Sequence, residues 1–251
     1  MVARRELLQY TNNLLEIDRF RDYAPNGLQV EGRAEVQSIV CGVTASLELI
    51  EAAIDVGADT LFVHHGYFWK GENPCISGMK KRRLQALLAH EINLVGYHLP
   101  LDAHPLYGNN AMLGKVLGIE FDSVFGSSSP PIIMQGRLLK AMDANDFGEL
   151  ISTKLGRAPL HIAGSEKQIR TVAWCSGGAQ GYIEEAAEAG FDAYISGEVS
   201  EKTTHVAREM GIHYYAAGHH ATERYGIEAL SAHLSEKFDL HYQFIDIDNP
   251  V

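Results

Sequence analysis

Four short segments of this 251-residue chain gather side chains that bind cations or move protons. They are His64-His65, the run His98-Leu99-Pro100-Leu101-Asp102-Ala103-His104, Ser196-Gly197-Glu198, and Gly218-His219-His220-Ala221-Thr222-Glu223. Imidazole nitrogens and carboxylate oxygens without thiolates suit zinc, iron, manganese, cobalt or nickel, with geometry choosing among them. His219 and Glu223 are four residues apart, so at a helix start they share one face. His64 and His65 are adjacent and would point to opposite sides of a regular strand. At a strand end the pleat breaks and both can turn inward, each toward a different metal. Two cations ~3.5–4 Å apart need a bridging carboxylate, and Asp102 or Glu223 is available for it. Each feature alone has a plainer reading: a histidine pair in a loop, a solvated helix face, Asp102 as a helix cap or turn residue, His98 as a satisfied histidine near the core, Glu198 as a first-turn acid favoured by a helix dipole. Lys80-Lys81-Arg82-Arg83 reads as a solvated helix start that could also meet a phosphate. The weight lies in recurrence.

The elements that position these segments alternate in type. An N-terminal helix is expected over Arg4–Ile17, then turn chemistry at Tyr23-Ala24-Pro25-Asn26-Gly27. Ser38–Val43 reads as a strand, Leu47–Ile54 as a helix stopped near Gly57, Thr60–Val63 as a buried strand, Leu84–Ala89 as a helix and Ile92–Tyr97 as a strand. From Thr171 the order recurs: strand, glycine-rich turn, helix, a strand at Asp192–Ile195, and another at Ile212–Ala217. Shifting the first stretch by 133 positions pairs Ile50 with Ile183, Glu51 with Glu184, Ala53 with Ala186, Gly57 with Gly190 and Asp59 with Asp192. The expected fold is therefore α/β, two similar halves from an internal duplication, taken as 1–125 and 126–251, with the metal site between them. All four chemical segments then fall at the carboxyl ends of strands, where ligands bind in open α/β sheets. Residues 122–170 read as a spacer and insertion, with a strand over Ile132–Leu139 and a helix over Phe147–Leu155.

Composition narrows the function classes. Apolar residues make up 46% and charged residues 21%, which excludes a low-complexity or disordered chain. A net charge of −11 weighs against non-specific nucleic-acid binding, which needs a basic surface. It leaves room for a small anionic substrate met by a metal. The three cysteines form no CxxC pair, and neither a signal peptide nor a run of ~20 apolar residues is present, so a cytoplasmic protein off the membrane is expected.

The matching segments DYAPNGLQVEG from Asp22, GVTAS from Gly42, GADTLFVHHGYFWKG from Gly57, GYHLPLDAHPLYGNN from Gly96, SGEVSEKTTH from Ser196 and YAAGHHATER from Tyr215 resemble the NIF-three-like dinuclear metal-binding family. That family carries the homology label GTP cyclohydrolase I type 2 homologue; the label does not establish GTP as a substrate. The resemblance spans both ends of the chain and leaves residues 121–170 without clear matches. It implies two divalent cations per chain, held by His64, His65, Asp102, His219 and Glu223, with no ligand position substituted. It also implies two intertwined α/β halves and a toroidal homohexamer with its sites facing an internal cavity. His98 and Glu198 sit at the same strand ends outside the ligand set, which makes them candidate proton-transfer groups, with Glu198 alternatively orienting or hydrogen-bonding a ligand histidine. The expected function is a metal-dependent hydrolase acting on a nucleotide or purine-like substrate. The alternative is a protein that stores or delivers metal without turnover, and whether the chain is an enzyme stays open at this level.

Overall fold

The computed structural model describes residues 1–251, which fall into two compact units. The first comprises Met1–Gly108 and Gly226–Asp248, the second Asn109–Tyr225 and Asn249–Val251. The chain leaves the first unit at Gly108, earlier than the 125/126 division expected, and returns to it after Tyr225. Packing explains the early exit: the helix that begins at Asn109 buries Leu113 and Leu117 among Trp174, Phe147 and Ile195 of the second unit.

In the first unit the strands are β1 (Val2–Ala3), β2 (Gly27–Val30), β3 (Glu35–Val36), β4 (Ser38–Thr44), β5 (Thr60–His65) and β6 (Asn93–Gly96), and the helices are α1 (Arg4–Leu14), α2 (Leu47–Asp55), α3 (Gly78–Ala89) and α4 (Leu99–Ala103). The second unit adds α5 (Asn109–Leu117), β7 (Glu120–Phe125), β8 (Ile133–Met142), α6 (Ala144–Leu155), β9 (Leu160–Ile162), β10 (Ile169–Trp174), α7 (Ile183–Glu188), β11 (Ala193–Ser196), α8 (Glu201–Met210) and β12 (His213–Ala216). Helix α9 (His219–Phe238) starts there and ends in the first unit, followed by β13 (His241–Phe244).

The main sheet of the first unit runs β13-β4-β5-β6-β2, with only β2 antiparallel to its neighbour; β1 and β3 pair separately. Its central strands are apolar on both faces, as parallel strands covered by helices must be. Ile39, Cys41, Phe62 and Val95 pack with Leu7, Leu230 and Leu234, while Val40, Leu61, Val63 and Leu94 pack with Leu49, Ile50, Leu84 and Leu87. Local chemistry sets the helix starts. Ser46 Oγ accepts from the Leu49 N–H at 3.1 Å, satisfying one of the donors that the first turn of α2 leaves without a helical partner.

The sheet of the second unit runs β7-β8-β10-β11-β12-β9, with β10, β11 and β12 parallel. Residues 122–170 are thus no spacer. They supply most of β7, all of β8, α6 and β9, and bury Ile133, Met134, Leu138, Phe147, Ile151 and Leu155. The core of a six-stranded sheet needs them. The strand registers of the two units repeat: Ile39 pairs with Thr60 and Val40 with Leu61, and 133 residues on, Val172 pairs with Ala193 and Ala173 with Tyr194. On the same offset, the antiparallel edge contacts Gly27↔Gly96 and Leu160↔Ala216 match at their first members. No helix is long and apolar enough to cross a membrane.

Candidate metal centre

In the first unit β5 continues through both histidines instead of ending before them. Their rings still lie 4.6 Å apart between centroids, so the terminal residues of the strand do not hold them on opposite sides. His64 is buried, and its Nδ1 donates to the Tyr97 carbonyl at 2.9 Å. That bond fixes the tautomer and directs Nε2, which lies 3.5 Å from Asp102 Oδ1. Asp102 is also buried, on the one-turn helix α4 that follows β6, and so does not cap α5. His65 Nδ1 lies 3.2 Å from Thr44 Oγ1. His64, His65 and His98 each present one ring nitrogen within 4.8 Å of the others.

His98 is held by a residue that the sequence chemistry did not single out. Its Nδ1 lies 2.6 Å from Asp22 Oδ1, and the Asp22 side chain is only 3% exposed. Asp22 Oδ2 accepts from Asn26 Nδ2 and from the Leu99 N–H, both at 2.9 Å, while Asn26 Oδ1 accepts from the His98 N–H at 2.8 Å. Burial favours the neutral acid, but bonds from His98, Asn26 and the Tyr23 N–H, with the charge of His98, hold the Asp22 carboxyl below its ordinary range. In the sequence Asp22 is only a turn residue. The signal that could have found it is its place at the head of the segment ending in Gly27, whose strand pairs with the one leading to His98.

In the second unit, His219 opens α9 and Glu223 follows one turn later. His219 Nε2 lies 3.2 Å from Glu223 Oε2, and its Nδ1 lies 2.8 Å from Glu198 Oε1. Glu198 Oε2 in turn accepts from Gln180 Nε2 at 3.2 Å. The structure therefore attaches Glu198 to the back of a candidate ligand. Burial opposes charge on His219, yet the hydrogen bonds and charges of Glu223 and Glu198 outweigh it and push the imidazole up to about 9. Gly177 shapes the space beside them. Its φ is +63°, and a Cβ there would fall 2.1 Å from Glu223 Oε1 and 3.2 Å from His219 Nε2. Thr222 Oγ1 accepts from the Gly177 N–H at 3.0 Å, and the Gly177 carbonyl accepts from the Gly197 N–H at 2.9 Å.

The donor set fits a divalent cation. Imidazoles and carboxylates are present without a thiolate, Gly177 leaves a cradle that any side chain would fill, and the two acids that favour positive charge on His219 would equally favour a metal. His104 belongs elsewhere: it stacks on Tyr107 at 5.2 Å. At the start of α3, Lys81 and Arg82 are exposed, but Lys80 is paired with Glu72 at 3.3 Å with its side chain only 12% exposed, so the run is solvated only in part.

The family model described as Duf34/NIF3 (NGG1p interacting factor 3) matches residues 2–250. The chain belongs to the Duf34/NIF3 family. It is 51% identical over 250 residues to a Pseudomonas aeruginosa relative named GTP cyclohydrolase 1 type 2 homolog, covering 99% of each chain. An Escherichia coli K12 relative of the same name is 54% identical over 246 residues, covering 98% of each. A solved structure described as protein ybgI, of unknown function, superposes with a TM-score of 0.96 at 52% identity, with all of both chains covered. The Duf34/NIF3 assignment and the mixed α/β architecture agree with the resemblance read from the motifs.

Proposed function

We propose that the chain is a dinuclear metal-binding protein that hydrolyses a nucleotide or purine-like substrate. The observation that carries the metal reading occurs once in each unit. An imidazole is held at Nδ1, His64 by the Tyr97 carbonyl and His219 by Glu198, so that Nε2 is directed at a carboxylate, Asp102 or Glu223. Metal-ligating histidines are oriented in this way, because the outer hydrogen bond fixes tautomer and ring angle. His64, His65, Asp102, His219 and Glu223 are the proposed ligands of two cations. Zinc, iron, manganese, cobalt and nickel all suit such donors. When bound, two cations supply Lewis acidity and lower the pKa of a water toward about 7.

The protein's own groups divide the remaining work. His98, fixed at Nδ1 by Asp22, keeps Nε2 for proton transfer to or from a reacting atom. Glu198 orients His219, the positioning role among those open to it from sequence. The shared name of the relatives supports a purine-nucleotide substrate class, and a metal-dependent site suits an anionic substrate in an acidic chain. The toroidal homohexamer rests on the family resemblance; a light-scattering mass near one chain would refute it. A reducing cytoplasmic setting fits Cys41, Cys75 and Cys175, which lie far apart and form no CxxC pair.

Elemental analysis of protein purified without chelators, joined to a hydrolysis screen of nucleotides and damaged nucleobases, tests the proposal. The expected result is about two metals per chain and at least one hydrolysed compound, with His98→Ala lowering the rate by ~10²-fold or more at normal metal content. Metal near zero refutes the site. Full metal that passes readily to an acceptor, with no hydrolysis, favours storage or delivery.

A further inference from the structure

Two aromatic side chains crowd His98 without being packed into a core. Trp69 stands edge-on to the His98 imidazole, with centroids 4.9 Å apart and planes at 83°, and lies 5.9 Å from the His65 ring. Tyr23 approaches the same imidazole at 6.5 Å and 64°, with 62% of its surface exposed. Backbone contacts hold both rings in place. Trp69 Nε1 donates to the Gly66 carbonyl at 3.1 Å, and the Trp69 N–H donates to Glu72 Oε2 at 3.2 Å. The Lys70 N–H donates to the Tyr23 carbonyl at 2.6 Å, which ties the turn after Asp22 to the loop after β5. Between the anchored residues, Phe68 takes φ +65°, a conformation that bulky side chains avoid and that persists only where the surroundings impose it. Such strain is concentrated at functional sites.

We propose that Trp69 and Tyr23 form a recognition lip for a planar heteroaromatic ring of the purine kind, which stacks on the indole beside His98. This rests on the nucleotide reading for its substrate class and names the residues that would select it. An indole face attracts any planar base, and a two-ring purine overlaps it more fully than a one-ring base. His98, held by Asp22 and in edge contact with Trp69, then lies next to the bound ring. The exposed Lys70 supplies positive charge on the same loop for an attached phosphate.

Isothermal titration of the metal-replete full chain with GMP, CMP and ribose 5-phosphate tests the lip. GMP is expected to bind more tightly than CMP, and CMP more tightly than ribose 5-phosphate. Trp69→Ala should weaken GMP about 10-fold or more, which is the loss of one base-stacking surface, while leaving ribose 5-phosphate unchanged. Tyr23→Ala should give a smaller loss, and Trp69→Phe should retain most of the affinity. The chain has only two tryptophans, and Trp174 is fully buried. GMP should therefore quench the fluorescence of the natural protein but not that of Trp69→Phe. The lip is wrong if GMP and ribose 5-phosphate bind equally, if Trp69→Ala leaves GMP affinity unchanged, or if GMP does not bind the natural protein at millimolar concentration. Trp69-dependent GMP binding without hydrolysis of any nucleotide would keep the lip and remove the hydrolase. Hydrolysis of a purine nucleotide unaffected by Trp69→Ala would do the reverse.

Discussion

In the first unit the ends of β5 and β6 deliver three imidazoles and one carboxylate: His64, His65, His98 and Asp102. In the second, the segments after β11 and β12 deliver one imidazole and two carboxylates: His219, Glu198 and Glu223. Beneath those ends the two scaffolds agree closely. Asp59 Oδ2 accepts from the Gln37 and Ser38 N–H groups at 2.8 and 3.0 Å, and Asp192 Oδ2 accepts from the Arg170 and Thr171 N–H groups at 3.0 and 2.8 Å. All three pairs of positions differ by 133. The same offset places Glu198 where the first unit has His65. Residues inside the strands are constrained by packing on both faces, whereas those just past the strand ends answer mainly to the ligand they meet. The two units thus share strand register and aspartate anchors at a 133-residue offset, and differ in residue type just past the strand ends.

The sharpest way to break this comparison is to remove one proposed ligand from each unit. His64→Ala and Glu223→Ala are each expected to lower metal content from about two per chain to one or none, read by elemental analysis, because the proposed ligand set draws on each unit. If only variants of one unit lose metal, the division of labour is wrong. Gly177→Ala should act through the same carboxylate without removing any ligand: its Cβ would press on Glu223 Oε1 at 2.1 Å from a backbone conformation that alanine resists. It is expected to lose at least one metal, and a full complement would show that the cradle is not needed.

A second comparison concerns the cores. Trp174 and Cys41 occupy matching strand positions, both buried, yet one fills a large volume and the other a small one. Trp174→Ala should cost about 3–5 kcal/mol, whereas Cys41→Ala should cost about 1 kcal/mol, measured by urea unfolding. Gly114 explains part of the difference: a Cβ there would meet the Trp174 ring at 2.5 Å, so the indole occupies space that α5 leaves open. Equal costs would mean that the matching positions are not packed as their burial implies.

Most of the parallel strands were legible in the sequence because they are short apolar runs closed by glycine and polar turns. The ends of Thr60–His65 and Ala193–Ser196 were placed to within a few residues. Within residues 122–170 the strand expected over Ile132–Leu139 and the helix expected over Phe147–Leu155 fall on Ile133–Met142 and Ala144–Leu155, but the segment reads as a spacer because its outer strand is exposed. Glu120–Phe125 has no buried residue, so it lacks the dense apolar run of a central strand. The departure at Gly108 was hidden because Asn109–Leu117 continues a helical region, and only the partner of Leu113 reveals its unit. At the site, His64, Asp102, His219 and Glu223 stood out by residue type and spacing. Asp22 did not, since its link to His98 spans 76 positions and no local pattern encodes it. Glu198 was found, but its attachment to His219 Nδ1 depends on a side-chain direction that spacing alone does not supply.

The smallest expected effects test whether the two matching aspartates do equal work. Asp59 is buried and Asp192 is partly exposed, although both tie the start of one strand to the start of the next. Removing the acceptor at the buried position strands two backbone donors away from water, so Asp59→Ala should cost about 2 kcal/mol. Asp192→Ala should cost about 1 kcal/mol, because solvent can replace part of what is lost. Asp192 also adds a pH signature. Burial favours its neutral form, but bonds from the Thr171 and Arg170 N–H groups and the Thr171 hydroxyl, with the charge of Lys167, hold its carboxyl below the ordinary range. The unfolded chain therefore binds that proton more tightly. The contribution is complete above the unfolded value of about 3.9 and disappears as pH falls through the lower folded value. The stability difference between the natural protein and Asp192→Asn should stay constant above about pH 5 and shrink below about pH 4, read from urea unfolding across that range. A difference that grows on acidification would reverse the sign and show that the Asp192 carboxylate is not what its backbone donors stabilise.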